Sequence, residues 1–209
     1  MNTNVKKRRY LSAARAQQAH QTRGRILNTA ARLFVERGYA ATSVADIAAE
    51  AGVASRTVYL DFPNKRALLD EAIGVALGGD DAAVRVRDRD WFRQTVEAAG
   101  PEIPALFARF TAKLHVRSAA LLEAAEAAAA ADPDVAERRD RGRQYRRADM
   151  RRVATAIAAS TGADVAFATD LLYTLGSSAV YAQLAFQCGW TPERYERWLA
   201  TTIETALLR

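Results

Sequence analysis

Hydrophobic residues recur three and four positions apart along most of the chain, and this spacing predicts an all-α fold. A first stripe, in a helix expected over residues 23–37, consists of Ile26, Leu27, Ala30, Leu33 and Phe34. A second, shorter stripe consists of Val44, Ile47, Ala48 and Ala51. A glycine follows each stripe, Gly38 and Gly52, and glycine readily takes the positive φ that ends a helix. These patterns predict two successive helices, each ended by a turn.

The second stripe and the segment after it predict a helix-turn-helix. Ser43 is a suitable N-cap for the second helix, and Asp46 at the third helical position makes a variant of the capping box. Ser55 is expected to cap a third helix, in which Val58 and Phe62 lie four positions apart and face inward. Two short helices that cross at a tight turn are a common way to present one of them to the major groove of DNA.

Four residues of this third helix are left pointing outward or to the flanks: Arg56, Thr57, Tyr59 and Leu60. Arg pairs with a guanine edge or a phosphate, and Thr and Tyr hydroxyls reach phosphate oxygens. Asn64 is expected to cap a fourth helix, from Lys65 to about Leu77. Lys65 therefore lies at a helix start, where free backbone N–H groups attract an anion.

The segment from about His20 to Asp80 resembles the DNA-binding domain of the TetR family of transcriptional regulators. The matching residues are T22-R23-x-x-I26-L27, A31-x-L33-F34-x-x-x-G38-Y39, T42-S43-V44-x-x-I47-A48-x-x-A51-G52-V53, T57-V58-Y59-x-x-F62 and N64-K65-x-x-L68-L69. The resemblance implies a recognition helix over roughly residues 55–62, starting at Ser55. It implies phosphate contacts for Thr42, Ser43, Tyr59 and Lys65, and positions near base edges for Arg56, Thr57 and Leu60. Asp61 stands where the family usually has an aromatic residue or His, so no DNA contact is carried onto it.

Charge is unevenly distributed along the chain. Residues 1–66 hold 12 Lys/Arg and 4 Asp/Glu, a net +8, whereas the other 143 residues hold 18 and 20, a net −2. The basic excess coincides with the helix-turn-helix and supplies sequence-independent attraction to DNA. Residues 1–19 are interpreted as a flexible basic arm whose run Lys6 to Arg9 follows the DNA backbone, or as a solvated tail. Residues 10–25 lack the apolar core of a signal peptide, so a cytoplasmic protein is expected.

Residues 81–209 predict a second, helical domain for ligand binding and dimerisation. Residues 164–187 are expected to form one helix that is apolar on almost every side, and no charge occurs from Leu171 to Pro192. The length of this uncharged run would suit a membrane span, but Gly176, Ser177 and the glutamines make the segment too polar. A partner subunit is the expected cover, because the family pairs through its last two helices. The predicted interface residues are Leu171, Leu175, Ala179, Ala182, Phe186, Trp198 and Ile203.

Catalytic and metal-binding residue patterns are missing from the sequence. The chain has two histidines, His20 and His115, and one cysteine, Cys188, which is expected to be a small buried thiol. No metal-ligand spacing or phosphate-binding glycine loop occurs, so neither an enzyme nor a cofactor is predicted. The arginines along residues 138–152 are interpreted mainly as a solvated face with ion pairs, and alternatively as a patch for an acidic ligand.

Family resemblance also implies a small-molecule inducer inside the second domain. The predicted pocket residues are Trp91, Phe107, Phe110, Leu114, His115, Tyr145, Met150 and Tyr173, each of which is alternatively plain core. They suggest an apolar or aromatic ligand with one or two polar contacts. The sequence and the resemblance therefore predict a dimeric, ligand-responsive regulator, expected to be a repressor, that binds a pseudo-palindromic operator. The alternatives are a helical carrier or sensor that does not bind DNA, and an interaction protein.

Overall fold

The computed structural model describes residues 3–80, 82 and 84–208, with side chains described from residue 15 onward. Within these residues the chain is all-helical and has no strand, as the sequence predicts. The helices are α1 (Thr3–Arg37), α2 (Val44–Glu50), α3 (Ser55–Asp61), α4 (Lys65–Gly78), α5 (Asp90–Glu97), α6 (Ile103–Ala129), α7 (Pro133–Thr161), α8 (Val165–Leu175), α9 (Ser178–Ala182) and α10 (Pro192–Leu207). The chain divides into two units, Met1–Ala72 and Ile73–Arg209.

The N-terminal unit contains the three helices that the sequence predicts, with one change at the start of the first. α1 begins at Thr3, twenty residues before the start expected at Arg23. The side chains of Lys6 to Arg9 lie outside the described residues, so a DNA-binding role for this basic run stays a prediction. α1, α2 and α3 enclose a shared core that contains Phe34, Ile47 and Val58, all with no exposed surface.

Local capping determines where α2, α3 and α4 begin. The capping box of Ser43 and Asp46 is present as predicted, and Asn64 caps α4 by accepting a hydrogen bond from the backbone of Ala67 at 2.9 Å. The prediction that Ser55 caps α3 is wrong. Ala54 holds the N-cap position without a side-chain bond, and Ser55 is already helical.

α6 is the central helix of the C-terminal unit. It is one continuous helix of 27 residues. α7, α9 and α10 pack against it, and the shared core includes Phe92, Phe107, Ile157 and Leu172. The alanines in the second half of α6 allow this close packing because they leave little side-chain bulk between helix axes.

The expected single helix over residues 164–187 is interrupted in the structure. α8 ends at Leu175, Gly176 takes a non-helical conformation, and Ser177 caps α9 by accepting a hydrogen bond from Val180 at 3.2 Å. Residues 183–187 then continue as a π-helical turn. A side chain at Gly176 would lie 2.9 Å from a ring carbon of Phe107, so the close approach at this break requires glycine.

α10 turns its apolar stripe toward its own subunit. Tyr195, Leu199, Ile203 and Leu207 are buried in the core that includes α6. Ile203 has no exposed surface, so its assignment to a dimer interface is wrong. No helix within the described part of the chain is long and apolar enough to cross a membrane.

Candidate nucleic-acid interface and ligand-binding core

The outer face of α3 carries both polar and apolar side chains that do not pack in the core of the N-terminal unit. Val58 and Phe62 fix the inner side, both almost completely buried. Leu60 is 78% exposed, Tyr59 is also exposed, and Arg56 makes no hydrogen bond or ion pair among the described residues. Exposed aromatic and aliphatic groups beside an unpaired guanidinium are typical of a surface that contacts another molecule. The structure therefore keeps Arg56, Tyr59 and Leu60 available for recognition.

The remaining polar residues of α3, which are Ser55, Thr57 and Asp61, differ in their exposure. Ser55 and Thr57 are half-buried, and the Thr57 backbone N–H donates to Ala54 at 2.8 Å. Asp61 is exposed at the C-terminal end. A carboxylate on this side would repel DNA phosphates, so the departure from the family pattern bears on docking.

The capping box at the start of α2 uses the Ser43 side chain completely. The Ser43 hydroxyl donates to an Asp46 carboxylate oxygen at 2.6 Å and accepts from the Asp46 backbone N–H at 3.1 Å. The Ser43 backbone N–H donates to the same carboxylate at 2.9 Å. Hydrogen bonding from the Ser43 side chain, and then from its backbone, lowers the pKa of Asp46. A phosphate at this position has to compete with the Asp46 carboxylate.

Thr42 and Lys65, two residues expected to hold phosphates, stabilise the unit internally. Thr42 is only 1% exposed, and its hydroxyl donates to the carbonyls of Gly38 at 2.8 Å and Leu33 at 3.2 Å. The Lys65 Nζ donates to the Tyr39 carbonyl at 2.9 Å and lies 4.1 Å from the centroid of the Tyr39 ring. The Thr42 side chain is thus unavailable to a phosphate. Lys65 connects the start of α4 to the turn after α1 through its hydrogen bond to Tyr39.

An aromatic cluster occupies the core of the C-terminal unit. The rings of Trp91 and Phe110 lie 4.9 Å apart, and those of Phe110 and Phe107 lie 5.1 Å apart. Phe107 extends this series to Gly176 at the break after α8. Met150 belongs to the larger hydrophobic core of this unit, and Tyr173 packs against that core. Three of the residues predicted to form a pocket, Trp91, Phe107 and Phe110, are therefore close together.

Three side chains from three helices bond the carbonyl groups that the break leaves without helical partners. Arg146 of α7 donates to the Tyr173 carbonyl at 2.7 Å, and its guanidinium lies 3.7 Å from the Tyr173 ring centroid. Tyr195 of α10 donates its hydroxyl to the Leu175 carbonyl at 3.0 Å. His115 of α6 has Nε2 at 3.0 Å from the Gly176 carbonyl. These bonds satisfy carbonyls that would otherwise be buried and unpaired.

Burial controls the ionisation of this group. Desolvation lowers the pKa of His115 to about 4, with a small opposing effect of the Gly176 carbonyl and a further lowering by the Arg146 charge. Desolvation raises the pKa of Tyr195, aided by neighbouring Tyr181. His115 is therefore a neutral imidazole at physiological pH. The sequence could suggest His115 as a pocket residue, but it gave no sign of Arg146 or Tyr195 as partners.

Several predicted positions lie elsewhere. Tyr145 is 47% exposed on α7, with Arg85 and Arg87 against its ring, so its assignment to an interior pocket is wrong. Cys188 is exposed and not buried as expected. Leu114 is buried on α6 next to His115 in sequence, and its place in a ligand pocket stays a prediction.

Residues predicted for the dimer interface fall into three groups. Ile203 and Ala182 are buried within the subunit, and Leu171, Leu175 and Trp198 are half-buried. Ala179 and Phe186 remain exposed, Phe186 by 60%. The surface available to a partner in this segment is therefore smaller than the sequence pattern suggests.

The arginines of α7 mostly form an exposed network of ion pairs. Arg139 and Arg143 both contact Glu126, at 3.1 and 2.8 Å, and Arg147 contacts Asp170 at 2.6 Å. The interpretation as a solvated face with ion pairs is confirmed for these residues. Among the described residues, no group of His, Cys, Asp and Glu side chains is arranged to hold a metal ion.

Part of the N-terminal unit is similar to a known protein family. Residues 26–72 match the family described as "Bacterial regulatory proteins, tetR family". The transcriptional repressor KstR2 of Mycobacterium tuberculosis is 43% identical over 58 residues, which are 28% of this chain and 29% of that protein. The transcriptional regulator TtgR of Pseudomonas putida is 45% identical over 58 residues, 26% of this chain and 28% of that protein. The chain thus matches less than a third of the length of these relatives.

Similarity to solved structures extends through both units. A structure named as the SmeT–triclosan complex has a TM-score of 0.69 at 20% identity, covering 90% of this chain and 92% of that one. At this identity the likeness establishes a common fold only. The capping box, the exposed face of α3 and the family match lead to one conclusion: residues 26–72 form a helix-turn-helix segment similar to that of the TetR family of bacterial regulatory proteins.

Proposed function

We propose that this protein is a DNA-binding transcriptional repressor that acts as a homodimer and releases its operator when a small molecule enters the C-terminal unit. The observation that carries the proposal is the outer face of α3, where Arg56, Tyr59 and Leu60 are exposed without a role in folding. An arginine in this position can bond a guanine edge through two N–H groups. The net +8 over residues 1–66 supplies the attraction to phosphates that such a contact needs.

Dimerisation is proposed through the uncharged segment that includes α9 and the π-helical turn. Phe186 is a large exposed ring there, and Ala179 leaves α9 open to close approach. Two recognition helices about one helical turn of DNA apart would read a pseudo-palindromic site. The corrected positions Ile203 and Ala182 are left out of this interface.

A ligand-responsive C-terminal unit is supported by the aromatic cluster of Trp91, Phe107 and Phe110 and by the buried polar side chain of His115 in the same unit. One structural neighbour is named as a complex with triclosan, and TtgR and KstR2 are named as regulators of transcription. A ligand shifts DNA occupancy only by its different affinities for the free and DNA-bound conformations. The inducer is therefore expected to bind the DNA-free form more tightly.

Fluorescence anisotropy with Arg56→Ala tests the docking surface. DNA from upstream of the protein's own gene is the probe, and random DNA is the competitor. Arg56→Ala should weaken specific binding by roughly 1–3 kcal/mol and relax base preference at one symmetric pair of positions. Arg141→Ala on α7, which removes the same charge from the C-terminal unit, is the matched control and should retain specific binding.

A helical carrier that does not bind DNA is the second candidate, and Asp61 on the recognition helix is the observation that favours it. The two candidates differ in one measurable property. A regulator binds its operator in preference to random DNA and loses affinity as salt rises, whereas a carrier binds small molecules with no salt-sensitive affinity for DNA. Equal DNA affinity of Arg56→Ala and the unaltered protein would refute the proposed docking.

A further inference from the structure

His115 carries a hydrogen-bond acceptor that the fold leaves unused. The side chain is 3% exposed, and Nε2 lies 3.0 Å from the Gly176 carbonyl oxygen. A carbonyl oxygen only accepts, so Nε2 must carry the hydrogen and donate it. A neutral imidazole has one donor nitrogen and one acceptor nitrogen, which makes Nδ1 the acceptor. Among the described residues this buried Nδ1 has no hydrogen-bond partner.

Two polar side chains near His115 each donate a hydrogen bond to a carbonyl at the end of α8. Arg146 donates to Tyr173, and the Tyr195 hydroxyl donates to Leu175. Both accepting carbonyl groups lie at the end of α8. Buried polar atoms are rarely left unpaired, and an orphaned one in a folded protein calls for a partner from outside the chain. That partner has to supply a hydrogen-bond donor.

The His115 ring has an aromatic neighbour, which in turn contacts a second aromatic ring. The Tyr181 ring lies 5.5 Å from the His115 ring and 4.9 Å from the Tyr195 ring. A ring carbon of Phe107 also lies close to Gly176, the residue that His115 bonds. A group that bonds Nδ1 would therefore lie close to an aromatic ring, that of Tyr181.

We propose that His115 Nδ1 is the polar anchor of the inducer, and that the inducer is a neutral aromatic compound carrying a hydroxyl or N–H donor. This inference rests on the proposed function, because it gives the chemistry of that ligand. An anion such as a carboxylate offers no hydrogen-bond donor, and its negative charge is repelled by the lone pair of Nδ1. A cation is disfavoured by the guanidinium of Arg146 nearby.

Anchoring at His115 also connects the ligand to the break after α8. The same ring that accepts from the ligand through Nδ1 donates to Gly176 through Nε2. A shift of the ring on ligand binding therefore changes the bond that holds the end of α8, next to the segment proposed for dimerisation.

Matched pairs of probes test the anchor: phenol and anisole, 2-naphthol and 2-methoxynaphthalene, 4-phenylphenol and 4-methoxybiphenyl. Each pair differs only in the donor hydrogen. Calorimetry on the full chain should give at least about tenfold tighter binding of the hydroxyl member in one or more pairs, the effect of one buried hydrogen bond. His115→Gln retains an N–H donor for Gly176 but moves the acceptor away from the Nδ1 position. In this variant the two members of each pair should bind with about equal affinity.

Nitrogen-15 NMR of labelled histidine gives a second measurement that does not depend on the variant. The resonance of the unprotonated Nδ1 of His115 should move upfield with the hydroxyl probe and stay in place with its ether. Equal affinity within every pair, a preference that survives His115→Gln, or no binding of any probe would each overturn the inference. DNA anisotropy separates this failure from that of the proposed function: a protein that still binds its operator specifically remains a regulator whose ligand has different chemistry.

Discussion

Acidification should destabilise this protein through His115, and the effect can be calculated. The pKa of His115 is lowered to about 4 in the folded chain, mainly by burial, from an ordinary value of 6.5. Between these values the unfolded chain binds a proton that the folded chain does not. Stability is therefore fully present above pH 6.5 and is lost as the pH falls toward 4. At pH 5 the free energy of unfolding is expected to be lower by about 2 kcal/mol. This figure follows from 1.36 kcal/mol for each pKa unit and from the 1.5 units by which pH 5 lies below the ordinary pKa of about 6.5.

Urea unfolding at pH 7.5, 6 and 5 measures this loss, with His115→Gln as the control. Acidification also affects other groups, and burial raises the pKa of the Asp149 carboxyl. Their effects are common to both proteins and cancel in the difference between them. The stability advantage of the unaltered protein over His115→Gln should shrink by about 2 kcal/mol from pH 7.5 to pH 5.

A difference that stays constant across this range would refute the reasoning. It would mean that His115 has the same pKa in the folded and unfolded chains, which is incompatible with a buried neutral imidazole bonded to Gly176. Direct NMR titration of the His115 ring, with a midpoint near 4, checks the same point without unfolding.

Three further substitutions have defined outcomes. Tyr195→Phe should cost roughly 1–3 kcal/mol in urea unfolding because it leaves a buried carbonyl at the end of α8 unpaired, while Tyr59→Phe at an exposed position should cost almost nothing. Asn64→Ala should cost about 1 kcal/mol by removing the cap of α4, and an unchanged urea midpoint would contradict that role. Phe186→Asp should convert the proposed dimer to monomer in sedimentation, and a persistent dimer would place the interface elsewhere.

The helix-turn-helix was predictable because its determinants are local. The Ser43 and Asp46 pair is three residues apart, and Gly52 ends α2 with a φ of 66° as its position suggests. The prediction for Ser55 was wrong because this residue lies one position past the turn. The preceding Ala54 takes the extended N-cap conformation, so the backbone geometry outweighs the preference of serine for a cap position.

Buried positions in the C-terminal unit were harder to assign because their partners are distant in sequence. The break at Gly176 depends on side chains of Arg146, His115 and Tyr195, which belong to three other helices. An apolar stripe also does not say which surface it faces. Ile203 fits a dimer interface and an internal core equally well by spacing, and only the packing of α10 on α6 distinguishes the two.

The most direct test of the central claim is the salt dependence of binding to DNA from upstream of the protein's own gene, measured by fluorescence anisotropy against random DNA. A site-specific regulator should bind in the nanomolar range and lose affinity steeply and linearly in a plot of log affinity against log salt. The same complex should dissociate on addition of an aromatic hydroxyl compound. Weak binding that is indifferent to sequence, together with tight binding of that compound, would contradict the regulator and favour the carrier.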